Sequence, residues 1–266
     1  MINVTVLGVS GRMGRCLVRA IRESEDLTLS GALASPHSAA LGRDAGEIAQ
    51  TGPVAVEITA DRSRALANAT IAIDFTLPEA TGDNLAAVAA LRIPIVIGTT
   101  GLDAKRHALI RRASEKLPVL VAPNMSLAVN LFFSLVGSAA AALPGDYDIE
   151  IVEVHHRHKA DAPSGTALRL GEIAAGARNT TLGSVGVYGR AGNATTRLPG
   201  AIGFASVRAG DIIGEHHVLF AGSGETLELV HRATDRMTFA HGALAAARWL
   251  TGRQPGLYGM ADVLGL

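Results

Sequence analysis

The sequence predicts an α/β protein, with an N-terminal Rossmann-like parallel-sheet domain and a C-terminal α+β domain built on a mixed or antiparallel sheet. Three observations predict it. Short β-branched runs alternate with Ala-rich amphipathic stretches as far as Ala122. A glycine-spaced turn follows the first of those runs. Beyond Asn124, strand-like runs succeed one another with turn signals between them.

In order, Val4–Leu7 reads as a strand, Met13–Ser24 as a helix and Leu27–Ala34 as a second strand. Ala69–Phe75 is a third strand, followed by a helix over Glu79–Leu91. Ile93–Ile97, Asp103–Leu117 and Val119–Ala122 repeat the strand, helix, strand pattern. Helices of that length between strands give βαβ units and a parallel sheet. Several strand runs are continuously apolar, as expected where both faces are covered. A helix over Leu127–Leu143 then leads to a long strand, Tyr147–His155, and a helix, Gly165–Ala177. Val185–Tyr188, Ile202–Val207, His217–Phe220 and Thr226–Val230 read as strands, with turns at Gly192-Asn193 and Gly222-Ser223-Gly224. An Ala-rich helix over Phe239–Leu250 returns to the first pattern. The expected division is a dinucleotide-binding domain over 1–125, completed by 236–266, and a substrate-binding and oligomerisation domain over 126–235.

Length and composition agree. With 266 residues, 48% of them hydrophobic, a sizeable core is available to one large domain or two smaller ones. The formal net charge is zero, which argues against charge-driven binding to nucleic acid or a membrane surface. Cys16 is the single cysteine, so no internal disulfide forms; on the first helix it reads as a small buried hydrophobe and fits a reducing cytosol. No apolar run reaches the ~18–20 residues of a membrane span, and Asn130, Ser134 and Ser138 interrupt the longest. Ile2–Leu7 enters a strand with neither a basic leader nor a cleavage site. A soluble, cytoplasmic protein is expected.

Gly8, Gly11 and Gly14 are spaced G-x-x-G-x-x-G between a strand and a helix, with Ser10 where the usual dinucleotide fingerprint has its middle glycine. Small residues there let a pyrophosphate approach the main chain, and the helix start offers unpaired N–H groups. Gly98-Thr99-Thr100-Gly101 and Ala122-Pro123-Asn124-Met125 follow two further strands, at the edge where open parallel sheets bind ligands. The second strand runs out into Ala34-Ser35-Pro36-His37, without the acid that would hold the ribose hydroxyls of NAD. Ser35 and Arg12 would supply donors to a 2′-phosphate. This favours NADPH and leaves NADH open.

The densest chemical signal is His155-His156-Arg157-His158-Lys159, followed by Ala160-Asp161-Ala162-Pro163-Ser164-Gly165-Thr166. Three His, one Arg and one Lys in five positions make a local positive field. Taken alone, such a run reads equally well as a solvated loop. Ser164 before Gly165-Thr166 reads as a helix cap, and a helix start binds carboxylates. A small anion or dianion is therefore the expected ligand. His and Lys supply proton transfer, and neighbouring cations lower a lysine's pKa. The His spacing matches no familiar closed metal site and no second Cys exists, so no metal is expected.

Glu153–Leu168 resembles the signature of the 4-hydroxy-tetrahydrodipicolinate reductase (dihydrodipicolinate reductase) family, and the likeness covers essentially the whole chain. Gly11-Arg12-Met13-Gly14, Asp74-Phe75-Thr76, Gly98–Gly101, Ala122–Asn124, Arg208–His216 and Phe239–Leu244 match it as well. The resemblance implies an NAD(P)H-dependent oxidoreductase of the diaminopimelate route to lysine, acting on a small cyclic dicarboxylate. It implies His155 as proton donor or acceptor, Lys159 as main proton donor, and His156, Ser164, Gly165 and Thr166 on the substrate. Gly8, Val9, Ser10, Gly11, Arg12, Met13, Ser35, Phe75, Gly98, Thr99, Thr100, Ala122, Pro123, Asn124 and Met125 fall on the cofactor. The family's acid–Arg pair after the second strand falls on Ala34 and Ser35, where this chain departs from the pattern. A homotetramer built through the second sheet, and domain closure about Asn124–Ser126, are further implications. Two other readings are a related NAD(P)-dependent amino-acid or dicarboxylate dehydrogenase, which leaves the basic block unexplained, and a non-catalytic dinucleotide sensor, which has no use for His155 and Lys159.

Overall fold

A computed structural model describes residues 1–193 and 196–266. In chain order it contains β1 (Ile2–Leu7), α1 (Arg12–Arg22), β2 (Leu27–Leu33), α2 (Ala45–Ile48), β3 (Ile58–Thr59), α3 (Arg62–Leu66), β4 (Ile71–Asp74), α4 (Thr81–Leu91), β5 (Ile95–Ile97), α5 (Ala104–Ser114) and β6 (Pro118–Val121). There follow α6 (Leu127–Ala142), β7 (Asp148–His155), α7 (Gly165–Ala177), α8 (Leu182–Val185), β8 (Gly186–Val187), β9 (Ile202–Arg208), β10 (Gly214–Ala221) and β11 (Thr226–Ala233), then α9 (Met237–Leu250), β12 (Gly256–Tyr258) and α10 (Met260–Leu264). The chain divides into two compact units, Met1–Leu127 with Arg236–Leu266, and Ala128–Asp235.

In the first unit, successive residues of one strand enter two different cores. Val4, Val6, Ile71, Ile73, Val96 and Leu120 face one side, with Leu17, Val18 and Ile21 of α1 and Ala243, Leu244, Ala247 and Leu250 of α9. Leu7, Ala72, Ile95, Ile97 and Val119 face the other, with Leu85 and Val88 of α4 and Ile110 of α5. Strands covered on both sides have no polar face, which is why their sequences run continuously apolar. The strand order is β3-β2-β1-β4-β5-β6-β12, and every pairing is parallel. The order reverses between β1 and β4, and such a reversal opens a crevice at the carboxyl ends of the strands.

Side-chain caps fix several helix starts: Asp44 opens α2, Asp61 opens α3 and Asp103 opens α5, each accepting first-turn amides. α1 is different. Its cap is Gly11, with no side-chain hydrogen bond, and its first turn carries no acid. Cys16 on this helix is partly buried against the first core.

The second unit has strand order β11-β10-β7-β9-β8. β10 is antiparallel to both β7 and β11, while β9 is parallel to β7 and β8. The sheet is thus mixed. One face packs on α6 and α7 through Phe132, Val136, Ile149, Ile151, Leu170, Ala174, Val218 and Phe220. The turn at Gly222–Gly224 joins β10 to β11, with Gly222 N–H donating to the Glu225 carbonyl and Gly224 at φ +88°.

The expected strand Val185–Tyr188 is present but shorter, as Gly186–Val187, with Val185 ending the short helix α8 before it. β3 and β12, and the helices α2, α3 and α10, are additions to the sequence reading. Two- and three-residue strands are held by pairing with β2 and β6 rather than by any periodicity of their own.

Candidate active site

In the first unit the crevice is a cleft of about 580 Å³ lined by Gly8, Ser10, Gly11, Leu33–Pro36, Ala60, Arg62, Phe75–Leu77, Glu79, Ala80, Asp83 and Asn84. Gly8 has φ +88°, and a Cβ there would stand 2.9 Å from the Phe75 carbonyl oxygen. A Cβ on Gly14 would stand 2.3 Å from the Gly8 carbonyl oxygen. The glycines therefore let α1 and the turn close tightly on the sheet. The amides of Gly8 and Val9 donate to the Leu33 carbonyl, and that of Gly11 to Gly8. These three N–H groups are engaged inside the turn. The donors left to an anion are those opening α1, at Arg12 and Met13, which have no partner within the helix. Val9 is wholly buried, Met13 partly buried and Arg12 exposed.

The loops after β4 and β5 are stitched together by Asp74. Its Oδ1 accepts from Thr76 N–H at 2.8 Å and Thr76 Oγ1 at 2.6 Å, and its Oδ2 accepts from Asn84 Nδ2 at 3.0 Å. Thr99 Oγ1 donates to the Thr76 carbonyl at 3.1 Å. The Phe75 ring lies over Gly98, where a Cβ would meet it at 2.4 Å. Burial pushes the Asp74 carboxyl up, against the opposing pull of its hydrogen bonds from Thr76 and Asn84. Arg62, from the start of α3, lines the same cleft as Ser35 and donates to Asn84 Oδ1 at 2.9 Å. Gly8, Ser10, Gly11, Ser35 and Phe75 thus share one cleft, with Gly98 and Thr99 just behind it. Ala122, Pro123, Asn124 and Met125 follow β6; Ala122 N–H donates to Ile97, Asn124 Oδ1 accepts from Ser126 N–H, and Met125 is buried.

In the second unit, β7 alternates so that Ile149, Ile151, Glu153 and His155 are its buried face. His155 Nδ1 is 2.5 Å from Glu153 Oε2. Arg208 forks onto both carboxylate oxygens, at 2.8 and 2.7 Å, and Ser164 N–H donates to Oε1 at 3.2 Å. Burial pushes Glu153 up, but hydrogen bonds from His155 and Arg208 outweigh it and hold the carboxyl well below the usual carboxylate range. Ser164 caps α7, its Oγ accepting from Ala167 N–H at 3.2 Å and lying 3.0 Å from His216 Nε2. Ser164 is buried with both polar groups engaged, whereas Gly165 beside it is exposed and has open space around its Cα. Lys159 pairs with Asp161 at 2.8 Å, so its nearest charged partner is a carboxylate rather than the neighbouring histidines. The rings of His156 and His158 lie 6.4 Å apart on the same loop.

His216, on β10, packs edge-on against His155 with centroids 5.2 Å apart. Burial, with the nearby His155 adding to the effect, pushes its pKa down to about 3, so it is neutral near pH 7. Glu153, Arg208, His216 and Asp161 carry no role in the sequence reading, although strand alternation already puts Glu153 on the face of His155. Among the described residues no group of three or more His, Cys, Asp and Glu is placed to hold a metal ion.

Fold and site together define a dinucleotide-fold protein with a buried carboxylate–imidazole pair beside an exposed helix start. Family models described as "Dihydrodipicolinate reductase, N-terminus" and "Dihydrodipicolinate reductase, C-terminus" match residues 2–125 and 128–264. The chain belongs to this family. It is 50% identical to the 4-hydroxy-tetrahydrodipicolinate reductase of Nitrosomonas europaea, covering 100% of this chain and 98% of that one. It is 51% identical to the enzyme of the same name from Thiobacillus denitrificans, covering 100% and 99%. Dipicolinate-bound dihydrodipicolinate reductase from Paenisporosarcina sp. TG-14 shares the fold with a TM-score of 0.76 at 24% identity, covering 98% and 99%. GenD2 from gentamicin A biosynthesis, in complex with NAD, shares it more distantly, with a TM-score of 0.62 at 13% identity, covering 99% and 90%.

Proposed function

We propose that this chain reduces 4-hydroxy-tetrahydrodipicolinate to tetrahydrodipicolinate with NAD(P)H, in the diaminopimelate route to lysine. The observation that carries the reading is the basic loop itself: His155 seated on a buried carboxylate and Lys159 on the same loop, beside an exposed helix start at Gly165. In this reading residues 1–125 with 236–266 bind the dinucleotide, and 126–235 hold the substrate.

The first cleft fits a dinucleotide. The turn admits no side chain at Gly8, and α1 opens without a capping side chain or an acid. Gly8, Val9, Ser10, Gly11, Arg12 and Met13 would hold the pyrophosphate, with Ser35, Phe75, Gly98–Thr100 and Ala122–Met125 along the rest of the cofactor. When bound, the reduced nicotinamide supplies a hydride to C4 of the cyclic imine left after the 4-hydroxyl departs as water. The electron pair displaced onto the neighbouring ring carbon is then protonated by the protein. Lys159 gives that proton, and His155 exchanges protons beside it. His156 and the start of α7 at Gly165 and Thr166 hold the substrate carboxylates, with Ser164 shaping that start as its cap. These groups act by position and charge.

NADPH is the favoured cofactor. β2 ends without an acid at Ala34 and Ser35, and Arg62 is the basic residue in the cleft wall. Comparison of kcat/KM for NADPH and NADH, in the native chain and in Arg62→Ala, tests this; an unchanged ratio removes Arg62 from the preference. For the reaction, purified protein receives freshly generated cyclic substrate and NADPH while absorbance of the reduced cofactor is followed. Nucleotide binding without oxidation overturns the reductase reading. A homotetramer through the second sheet is supported by the exposed apolar residues Val207, Leu227 and Val230, and sedimentation tests it. A cytoplasmic location is supported by the single, unpaired cysteine.

A further inference from the structure

Two of the four buried positions of β7 are polar, at Glu153 and His155. Position 153 is fully buried in the sheet, where a packed apolar residue would serve stability as well as an ion pair or better. Stability therefore does not account for the carboxylate. Its hydrogen bonds do suggest a use. Glu153 accepts from Arg208 on both oxygens, from Ser164 N–H on Oε1 and from His155 on Oε2.

An ionised carboxylate only accepts, so the contact at 2.5 Å requires hydrogen on Nδ1 of His155. In the neutral ring Nε2 is then the basic nitrogen. On that side stands Gly214, where a Cβ would lie 2.9 Å from Nε2. A glycine at this position leaves the ring its room. The same carboxylate anchors the amide of Ser164, whose hydroxyl caps α7 and meets His216.

We propose that Glu153 is the positioning residue of this site: it holds His155 with Nδ1 protonated and Nε2 as the proton-exchanging atom, and it fixes the start of the anion-binding helix α7. Arg208 keeps the carboxylate ionised and squared to both partners. The charged and titratable groups around His155 are Glu153 on its own strand, Arg208 from β9, His216 from β10, His231 behind His216 on β11, and Lys159 with Asp161 from the loop. Of these, Glu153 is the one bonded to the His155 ring. The role in catalysis rests on the reductase reading above; the tautomer assignment does not.

The test is nitrogen-15 NMR of histidine-labelled protein, with the His155 signals identified by their loss in His155→Asn. At a pH where the ring carries one proton, the native chain is expected to hold it on Nδ1 of His155. A ring protonated on Nε2 overturns the proposal, and this measurement needs no substrate. Glu153→Gln is expected to lose the tautomer preference and to lower kcat on the order of 100-fold. It should leave nucleotide affinity, read by cofactor fluorescence, nearly unchanged. Glu153→Asp, which keeps the charge with a shorter reach, should recover part of both losses. A folded Glu153→Gln with native turnover overturns the proposal. Failure of the native chain to turn over substrate, with the Nδ1–H tautomer intact, overturns the reductase reading instead.

Discussion

Asp74 closes β4 in the first unit, Glu153 stands near the end of β7 in the second, and both side chains are fully buried. Their surroundings differ. Asp74 is met by neutral donors, two from Thr76 and one from Asn84, and burial pushes its pKa up. Glu153 is met by a guanidinium fork and an imidazole, which overcome burial and push its pKa down. The first carboxyl ties the loops after β4 and β5 together; the second holds an ionised centre on which a histidine is seated. Burial alone does not decide the charge state of a carboxylate, because the charge of its partners does.

The largest break in this contrast is Arg208→Ala. It leaves Glu153 buried without its counter-charge, and a loss of about 3–5 kcal/mol is expected from urea unfolding at neutral pH. Retention of native stability would mean that His155 alone sustains the carboxylate.

His216 sharpens the second region. Its folded pKa is about 3, against 6.5 for an unhindered histidine. As pH falls, the unfolded chain takes up this proton first. Stability should therefore be complete above about 6.5 and decline toward pH 3, by about 1.4 kcal/mol per pH unit. His216→Gln should flatten that slope in unfolding titrations.

The two carboxylates themselves should give slopes of opposite sign. The folded Glu153 pKa lies below 4.5, so its contribution is present above that pH and lost as pH falls. The folded Asp74 pKa lies above 3.8, so the unfolded chain releases that proton first and stability falls as pH rises through the window above 3.8. Asp74→Asn should remove the second dependence and keep the first, measured by unfolding between acid and neutral pH. Loss of both would show that the two sites are coupled.

The smallest effect belongs to Asp161→Asn. The Lys159–Asp161 pair has an Asp161 side chain 60% exposed, and such a pair contributes less than about 1 kcal/mol. Thermal melting should barely move, so any larger change in turnover reports the aim of Lys159.

Local features were legible in the sequence. Gly8 and Gly14 mark a turn because the first has a positive φ and both need close backbone approach. Ser164 marks a cap because a hydroxyl before a helix satisfies its amides. Glu153 was within reach, since residues two apart on a strand share a face. Arg208 and His216 were not, because register brings them in: His155 pairs with Arg208 across β9, and Glu153 with His216 across β10. Register depends on strands far apart in the chain, so the motif Arg208–His216 showed neither residue's partner.

The route of the chain through its two units bears on how the protein is made. Val4, Val6, Leu17 and Val18 belong to the same core as Ala243, Leu244, Ala247 and Leu250 of α9, and α9 follows the whole of the second unit in sequence. On the ribosome, the first sheet emerges with one face covered by α1 but not by α9, and waits until Ala128–Asp235 and α9 have been synthesised. Nascent chains halted before α9 should therefore engage holding chaperones, and release should coincide with the arrival of that helix.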